Sequence, residues 1–361
     1  MIRHLKRVTV RTIAILNIMV VVLMLLSGYA GLVSPVAHPS YSCFTLAFPL
    51  FLVLNLGFLV FWVIFKFRYV IIPFLGFVMG FGPVRSYTPF NVTHSTADAT
   101  MKVLSYNTWG FGKFPLITHD NTILQYIKKQ DADIVCLQES YLTEYGLRVV
   151  DTLMGRNYPY QDECNEGNGG LRILSKYPII RKIPINFEQP TTNLACAWLL
   201  RRGIDTMLVV NCHLQSIGIT EVEKADFKEM VRGTLSTDSS RIESHKLLWR
   251  LGSANAQRAG QVKAVMALLR KFPNTSTLLC GDFNSSPLSY AHRQINQRLN
   301  DCHTLAGNGP GISYHFNGFY VRIDNIFCSD DWLPLKCFVD NSISSSDHYP
   351  ILCWFKKKAI H

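Results

Sequence analysis

The longest uncharged segment of this chain restricts its fold more than any other feature of the sequence. From Thr12 to Phe65 there is no Lys, Arg, Asp or Glu, and the first acidic residue is Asp98. Such a stretch cannot form the surface of a soluble domain, whereas it suits the interior of a bilayer. We therefore divide the chain into a transmembrane region at residues 1–85, a polar linker at 86–100 and a folded domain at 101–361.

The transmembrane region contains two clear spans and a third candidate. The apolar stretches at about residues 13–33 and 44–65 are each long enough to cross a bilayer as a helix. The stretch at 69–84 is shorter and contains glycine and proline. It is either a third span or an interfacial or re-entrant segment.

The positions of the cations predict how the spans are oriented. The four basic residues from Arg3 to Arg11, together with Lys66 and Arg68, mark cytoplasmic ends. With two spans the folded domain is cytoplasmic, and with three spans it is exported. We favour the third span, which predicts a multi-pass protein of the plasma or inner membrane with its domain on the non-cytoplasmic side.

The net charge of +11 mostly reflects the flanks of these spans. Seven of the 36 Lys and Arg residues precede residue 86, where there is no acidic residue, so the rest of the chain holds 29 cations against 25 anions. Because a nuclease usually needs a strongly basic groove, this near balance argues weakly against nucleic-acid binding.

The cysteines indicate structural thiols. Nine of the ten lie in residues 101–361, an odd number that contains no C-x-x-C pair. Several lie inside apolar runs, where cysteine behaves as a small buried hydrophobe. We therefore expect mostly free thiols and neither a zinc site nor a redox motif.

The domain at 101–361 combines many short apolar runs with a few helical patterns. Amphipathic helices are predicted at 119–130, with Asp120 as the cap, and at 221–230 and 257–271, and a loose loop is predicted at 234–240. Many strands with few helices indicate two packed sheets flanked by helices, an α/β sandwich. The predicted strands are Met101–Tyr106, Ile134–Leu137, Leu171–Leu174, Cys196–Leu200, Met207–Cys212, Thr277–Cys280, Ile323–Cys328 and Ile351–Phe355.

Polar residues with metal-binding or proton-transfer chemistry recur at the ends of these strands. Each one alone is compatible with an ordinary turn. Together they are harder to assign to turns, because one edge of a sandwich can gather them. The residues are Asn107, Glu139, His213, Asp282, Asn284, Asp324, Asp347 and His348.

The motifs around these residues resemble those of the endonuclease/exonuclease/phosphatase superfamily, in the superfamily's order. The resemblance covers about residues 101–355 and implies a four-layered α/β sandwich, with two mixed sheets packed face to face and helices outside. The motifs are Ser105-Tyr-Asn107, Leu137-Gln-Glu139-Ser, Asn211-Cys-His213-Leu-Gln-Ser216, Gly281-Asp-Phe-Asn284, Arg322-Ile-Asp324 and Ser346-Asp-His348-Tyr-Pro.

The resemblance also implies roles for single residues. Glu139 is the expected principal ligand of Mg²⁺, or alternatively Mn²⁺, with Asn107 beside it and Asp347 completing the metal's environment. Asp282 orients or deprotonates the attacking water, and Asn284 holds a phosphoryl oxygen.

Two histidines complete the implied set. His348 pairs with Asp324, and His213 touches the scissile phosphate or protonates the leaving oxygen. The sequence is equally compatible with an exchange of roles between Asp282 and His348.

The predicted function is that of a membrane-anchored, metal-dependent phosphoesterase that hydrolyses a phosphodiester or phosphomonoester by metal-assisted attack of water. The substrate is a lipid head group, a nucleic acid or a small molecule, and the bilayer is the other partner; no protein partner is evident. A membrane-tethered nuclease acting on DNA or RNA is the alternative. A catalytically silent membrane scaffold is a third reading, which the intact set of site residues argues against.

Three further features have open interpretations. Arg172 either reaches an anionic substrate or is an exposed strand cation. The polar insertion at 216–256, beside His213, is either a solvated connection or a gate for substrate. The aromatic residues at 314–316 and 319–320 either contact a base or lipid or pack in the core, and we favour the core.

Overall fold

The structure is a computed structural model that describes residues 2–113, 117–165, 170–189, 191, 193–218, 237–316 and 318–358, with residues 2, 3 and 237–244 described by their backbone alone. The predicted helix at 221–230 lies outside these residues. The described part comprises an N-terminal bundle of apolar helices and a domain of two packed sheets.

The N-terminal bundle contains the predicted spans. By length and composition, the helices His4–Leu32 and Pro39–Phe65 can each cross a membrane. The next two helices, Phe67–Met79 and Phe81–Tyr87, are bent by 67° relative to each other and form either a broken third span or a re-entrant loop. Single turns of 3-10 helix at Ala30–Leu32, Cys43–Ala47 and Phe67–Tyr69 connect the main helices. These are α1 (Ile2–Gly28), α2 (Pro39–Ser42), α3 (Phe48–Phe65), α4 (Ile71–Met79) and α5 (Phe81–Tyr87).

Buried polar side chains hold this bundle together. The Asn17 amide donates to Asn55 Oδ1 at 3.3 Å, and Trp62 Nε1 donates to Asn17 Oδ1 at 3.0 Å. The Asn55 amide also donates to the carbonyl of Pro73 at 3.3 Å. Since buried polar groups need hydrogen-bond partners, these bonds join α1, α3 and α4 into one packed unit.

The domain contains two six-stranded mixed sheets, which confirms the predicted fold class. The first sheet has the order β11-β12-β1-β2-β4-β3, and the second has the order β5-β6-β7-β8-β10-β9. The strands are β1 (Met101–Asn107), β2 (Ile134–Gln138), β3 (Tyr160–Cys164), β4 (Leu171–Ser175), β5 (Ile179–Ile185), β6 (Leu194–Arg202), β7 (Asp205–His213), β8 (Ser276–Asp282), β9 (Asn300–Asp301), β10 (Asp324–Cys328), β11 (Trp332–Val339) and β12 (Ile351–Lys357).

The sheets face each other across a core, and helices cover their outer faces. Val103 and Trp198 belong to the cluster between the sheets. Ile127 belongs to the cluster that attaches helices to the first sheet, and Val265 belongs to the corresponding cluster on the second sheet. The helices are α6 (Thr122–Gln130), α7 (Glu144–Met154), α8 (Thr237–Arg270), α9 (Tyr290–Asn296) and α10 (Cys302–Ala306).

Several local predictions are wrong. The cap of α6 is Asn121, whose side chain accepts hydrogen bonds from the N–H groups of Ile123 and Leu124, and not Asp120. Helix α8 begins at Thr237, so that part of the predicted loop at 234–240 and of the insertion at 216–256 is helical. All ten cysteines are buried and none forms a disulfide, as predicted for structural thiols.

Candidate active site

Parallel strand pairs bring the predicted polar residues to one edge of the sandwich. Strand β1 runs parallel to β2, and β7 runs parallel to β8. Their carboxyl ends carry Asn107, Glu139, His213 and Asp282. Strand β10 is antiparallel to β8, and its first residue, Asp324, lies opposite Asp282. The side chains that the sequence places at separate strand ends therefore meet.

Asn107 connects the two sheets at this edge. Its amide nitrogen donates to Glu139 Oε1 at 3.1 Å and to Asp282 Oδ2 at 3.1 Å. Asp282 is 1% exposed, whereas 28% of the Glu139 side chain is exposed. Two carboxylates, one buried and one open to solvent, thus converge on a single amide.

The backbone at this edge adopts conformations that are uncommon for side-chain-bearing residues. Glu139 and Asn284 have φ values of 49° and 48°. Gly281, which precedes Asp282, packs against Cys212 so closely that a Cβ atom would lie 1.9 Å from the Cys212 carbonyl oxygen. Local strain of this kind clusters at functional sites, where the surrounding structure holds it in place.

Asn284 turns back towards Asp282. Its backbone N–H donates to Asp282 Oδ1 at 2.8 Å, and its side-chain amide donates to the Leu214 carbonyl at 3.0 Å. The amide also lies 3.3 Å from Asp282 Oδ2. Asn284 therefore fixes the buried carboxylate and remains beside it.

The two histidines flank Asp282. Their Nε2 atoms each lie 3.7 Å from Asp282 Oδ2, and His213 Nε2 also lies 3.7 Å from Glu139 Oε1. His348 Nδ1 makes a 2.8 Å hydrogen bond with Asp324 Oδ2, which is the pair that the sequence predicts. His213 Nδ1 is buried without a hydrogen-bond partner among the described residues.

The charges of this cluster set the protonation states. Burial lowers the pKa of His348, but Asp324 and Asp282 raise it more, so that it reaches about 10. Burial raises the pKa of Asp282 to about 6, with His348 opposing this rise and Asp324 adding to it. In the metal-free protein the cluster therefore favours an imidazolium at His348, and it makes Asp282 a weaker acid than an ordinary aspartate.

Aromatic side chains surround the site, which corrects the expectation that they pack in the core. The Tyr314 ring meets the His348 ring edge-on at 5.0 Å, and Phe316 lies 5.4 Å from Trp109. Tyr314, Phe316 and Trp109 are partly exposed, and Tyr320 is 63% exposed. Tyr314, Phe316 and Trp109 form part of the site's surroundings, and the sequence did not predict the placement of Tyr314 beside His348.

Trp109 is presented by a left-handed turn. The five residues from Trp109 to Lys113 all have positive φ, between 48° and 83°. Such a conformation is costly for the three that are not glycine. The Lys113 ammonium lies 4.0 Å from the centre of the Trp109 ring. The Trp-Gly-Phe-Gly sequence that follows Thr108 is the signal that could have indicated this turn.

Comparison with known sequences identifies the domain. A model of the Endonuclease/Exonuclease/phosphatase family matches residues 104–348, more than half of the chain. The chain belongs to this family. Residues 10–87 match a domain of unknown function (DUF8431). No curated protein matches the sequence.

Solved structures share the fold of this family domain. A truncated Caenorhabditis elegans TDP2 is 18% identical, with a TM-score of 0.50 over 71% of this chain and 97% of that chain. A conserved protein of unknown function from Enterococcus faecalis V583 is also 18% identical, with a TM-score of 0.50 over 72% and 100%. The catalytic domain of human Nocturnin, with a bound sulfate anion, is 16% identical, with a TM-score of 0.51 over 72% and 94%. These identities establish a common fold alone.

Enzymes of the Endonuclease/Exonuclease/phosphatase family hydrolyse phosphate esters and generally use divalent metals, and the acidic residues here fit such an ion. Ligand atoms of Asp282, Asp324 and His348 lie within 4.8 Å of one another. Asp324 Oδ1 is buried without a hydrogen-bond partner among the described residues. The hard carboxylate oxygens, with Glu139 open to water, are the type of ligand that Mg²⁺ or Mn²⁺ prefers.

The remaining predicted residues lie beside this family site or away from it. Asp347 is partly exposed and precedes His348, on a segment that Ser346 ties to β1 by donating to the Asn107 carbonyl at 2.7 Å. Arg172 is neither exposed nor directed to substrate, because its buried guanidinium pairs with Glu163.

Proposed function

We propose that this protein is a membrane-anchored, metal-dependent hydrolase of phosphate esters. One observation carries the proposal: Asn107, Glu139, Asp282 and two histidines converge on one edge of the sandwich through contacts of 3.1–3.7 Å. This set contains a divalent-metal ligand, a base for water and proton donors, which phosphate-ester hydrolysis requires. A scaffold without catalysis has no need for buried carboxylates and imidazoles in contact.

Glu139, with Asn107 beside it and Asp347 nearby, would hold the cation, which we propose is Mg²⁺ with Mn²⁺ as the alternative. The group of Asp282, Asp324 and His348, whose ligand atoms also lie within 4.8 Å of one another, would then act on the water and the phosphoryl group instead of holding the cation. A bound cation neutralises charge on the phosphoryl oxygens. Glu139 suits this role because its carboxylate is both anchored by the Asn107 amide and open to solvent.

Asp282 is the proposed group that orients or deprotonates the attacking water. Asn284 would hold a phosphoryl oxygen with the amide N–H that lies 3.3 Å from Asp282 Oδ2. The raised pKa of Asp282 supports this role, because its carboxylate is more basic than that of an ordinary aspartate. The raised pKa of His348 argues against the exchanged assignment, since an imidazolium cannot accept a proton.

The two histidines would stabilise the negative charge that develops on the phosphoryl group and the leaving oxygen during hydrolysis. His348, held by Asp324, presents a cation to the phosphoryl group. His213 lies between Glu139 and Asp282, where it would contact the scissile phosphate or protonate the leaving oxygen.

We also propose that the chain spans the membrane three times and exposes the site on the non-cytoplasmic side. The start of the third segment stacks Tyr69 on Trp62, close to Lys66 and Arg68. Its far end is beside the other end of α1, where the Tyr29 hydroxyl donates to the Met79 carbonyl at 2.7 Å. The segment therefore runs the length of the bundle, which supports a broken span over a re-entrant loop.

A substrate panel tests the function. The full chain in detergent is assayed with Mg²⁺ or Mn²⁺ on bis(p-nitrophenyl) phosphate, a phosphomonoester, DNA and RNA, with and without a chelator. We expect metal-dependent release of nitrophenol that Glu139→Gln abolishes and Glu144→Gln, an exposed control on α7, preserves. An undiminished rate in Glu139→Gln, or hydrolysis neither of these substrates nor of a phospholipid, would overturn the proposal. Exclusive action on DNA or RNA would make the protein a tethered nuclease.

A further inference from the structure

The loop that follows the catalytic strand β8 is inserted into the end of the membrane bundle. Leu288 packs against Met24 of α1 and Phe48 of α3 and is 6% exposed. Gly31 lies against the same loop, since a Cβ atom there would approach the Leu288 carbonyl oxygen to 2.1 Å. Asn284 lies only a few residues earlier, so its Cα is at most roughly 14 Å from that of Leu288.

A chain of hydrogen bonds joins the same site residue to the start of the second span. Arg258 Nη1 donates to the Asn284 carbonyl at 2.6 Å, and Arg258 Nη2 donates to Asn255 Oδ1 at 2.6 Å. The Asn255 amide then donates to the Ser42 hydroxyl at 2.7 Å. Because Arg258 is 2% exposed, the central residue of this chain of hydrogen bonds is buried.

A third contact is on the same edge of the sandwich. Arg322, close to Asp324 in sequence, is buried and donates to the carbonyl of Ser86 in α5. The opposite edge carries the turn between β6 and β7, where Ile204 is fully exposed. The edge that contains the site is therefore the edge that faces the membrane bundle.

An exposed apolar stretch of α8 extends this face. Trp249 is 72% exposed and Leu248 is 47% exposed. They lie beside Gly252, which packs on Pro39 at the start of the second span, and Cys43 Sγ lies 3.7 Å from the Leu248 carbonyl. Tryptophan is enriched where protein meets the head-group layer, so this stretch suits contact with lipid.

We propose that the substrate is a phosphate ester of a lipid in the same membrane, whose head group enters the site from the bilayer surface. The inference rests on the proposed phosphoesterase function. The water oxygen forms a bond to phosphorus, the bond between phosphorus and the ester oxygen breaks, and the released ester oxygen takes a proton. Because three contacts hold the site against the ends of the spans, a lipid phosphate reaches it by lateral diffusion within the membrane. A nucleic acid would instead have to reach it from solution, at the membrane surface.

Vesicle experiments test this proposal. The full chain is reconstituted in vesicles of an equal mixture of phosphatidylcholine, phosphatidylglycerol, phosphatidylinositol phosphate and sphingomyelin. Release of phosphorylated head group or phosphate is measured for lipids in the enzyme's own vesicles and for labelled lipids in added vesicles without enzyme. Soluble bis(p-nitrophenyl) phosphate is measured in parallel.

We expect hydrolysis of lipid in the enzyme's own vesicles to exceed that in added vesicles at least about tenfold, because anchoring raises the effective concentration. Equal rates in both vesicle populations overturn the inference. Hydrolysis of the soluble diester without hydrolysis of any lipid also overturns it, while the proposed function stands. If neither substrate is hydrolysed, both fail.

Variants separate docking from catalysis. Leu288→Ser and Ser42→Ala loosen the contacts with the bundle. The control is Leu333→Ser, the same substitution at a 43% exposed leucine on the edge strand β11. We expect the two docking variants to lose about tenfold on lipid while soluble diester hydrolysis changes less than about twofold. Parallel losses on both substrates would contradict a role in presenting the site to lipid.

Discussion

His348 Nδ1 lies 2.8 Å from Asp324 Oδ2, and both side chains are buried. The segment that carries Asp324 is itself fixed, because the Ser313 hydroxyl accepts hydrogen bonds from the N–H groups of Ile323 and Asp324 at 3.1 and 3.0 Å. The carboxylate therefore holds the imidazole in one orientation. We therefore propose that the two residues act as one unit.

We predict that Asp324→Asn lowers turnover nearly as much as His348→Ala, by about a hundredfold each, and that the double variant is little worse than either. Steady-state kinetics on a soluble diester measures this cycle, with Asp205→Asn as an exposed control. Losses that multiply in the double variant would show that the pair is not coupled.

The charge on His348 gives a spectroscopic prediction. In the metal-free protein, Asp324 and Asp282 outweigh the effect of burial and raise the pKa of His348 to about 10. We expect its ring nitrogens, observed by NMR, to remain protonated through neutral pH and to titrate near that value. In Asp324→Asn the pKa of His348 falls, because one of the two carboxylates is lost. An unchanged titration in that variant would remove Asp324 as the cause.

Glu139 should be needed for metal binding as well as for turnover. Glu139→Ala removes an anchored carboxylate that is open to solvent, so we predict about a hundredfold loss of turnover or more. Binding of Mn²⁺, measured by electron paramagnetic resonance, should weaken in parallel. Glu144→Ala is the control, since Glu144 is exposed on α7. Normal Mn²⁺ binding in Glu139→Ala would assign the metal to other ligands.

The orientation of the bundle can be tested directly. A reporter fused after Arg85 should appear on the non-cytoplasmic side, because the third segment runs from the cationic end of the bundle to the end that contacts the domain. A fusion after Lys66 is the cytoplasmic control. Cytoplasmic labelling at both positions would reduce the membrane part to two spans.

The sequence predicts the inner strands of both sheets and misses the outer ones. The eight predicted strands are all interior or next to the edge, whereas β3, β5, β9 and β11 are the four edge strands. A buried strand is an uninterrupted apolar run, as in β2. An edge strand is partly exposed and tolerates polar residues and proline, so its pattern resembles a loop.

The site was easier to predict than its surroundings for a related reason. Asn107, Asp282 and His348 directly follow or precede apolar runs, so the topology of the sheets alone brings them together. Tyr314 and Arg258 reach the site from an irregular loop and from a long helix. Their positions depend on tertiary packing, which no local pattern of the sequence reports.

The last prediction concerns a buried ion cluster that supports the contact with the N-terminal bundle. Asp301 is 2% exposed, its Oδ2 lies 3.2 Å from His292 Nε2 and 3.7 Å from Arg322 Nη2, and Thr304 donates to it at 2.6 Å. Arg322 also donates to Ser86 of the bundle. Burial tends to raise the pKa of Asp301, but Arg322 and His292 lower it well below the ordinary value of 3.8.

Because the pKa of Asp301 is lower in the folded state than in the unfolded state, its ionised form stabilises the fold above about pH 4, and that contribution is lost as the pH falls further. Asp301→Asn leaves Arg322 buried without its counter-charge, so we expect a loss of about 3–5 kcal/mol in the free energy of unfolding at pH 7. Asp330→Asn, at an exposed position, should change it by less than about 0.5 kcal/mol. Denaturant unfolding of the full chain in detergent measures both, and the difference between Asp301→Asn and the unsubstituted protein should shrink at pH 3. If the difference in the free energy of unfolding were independent of pH, the stabilisation would come from the shape of the Asp301 side chain and not from its charge.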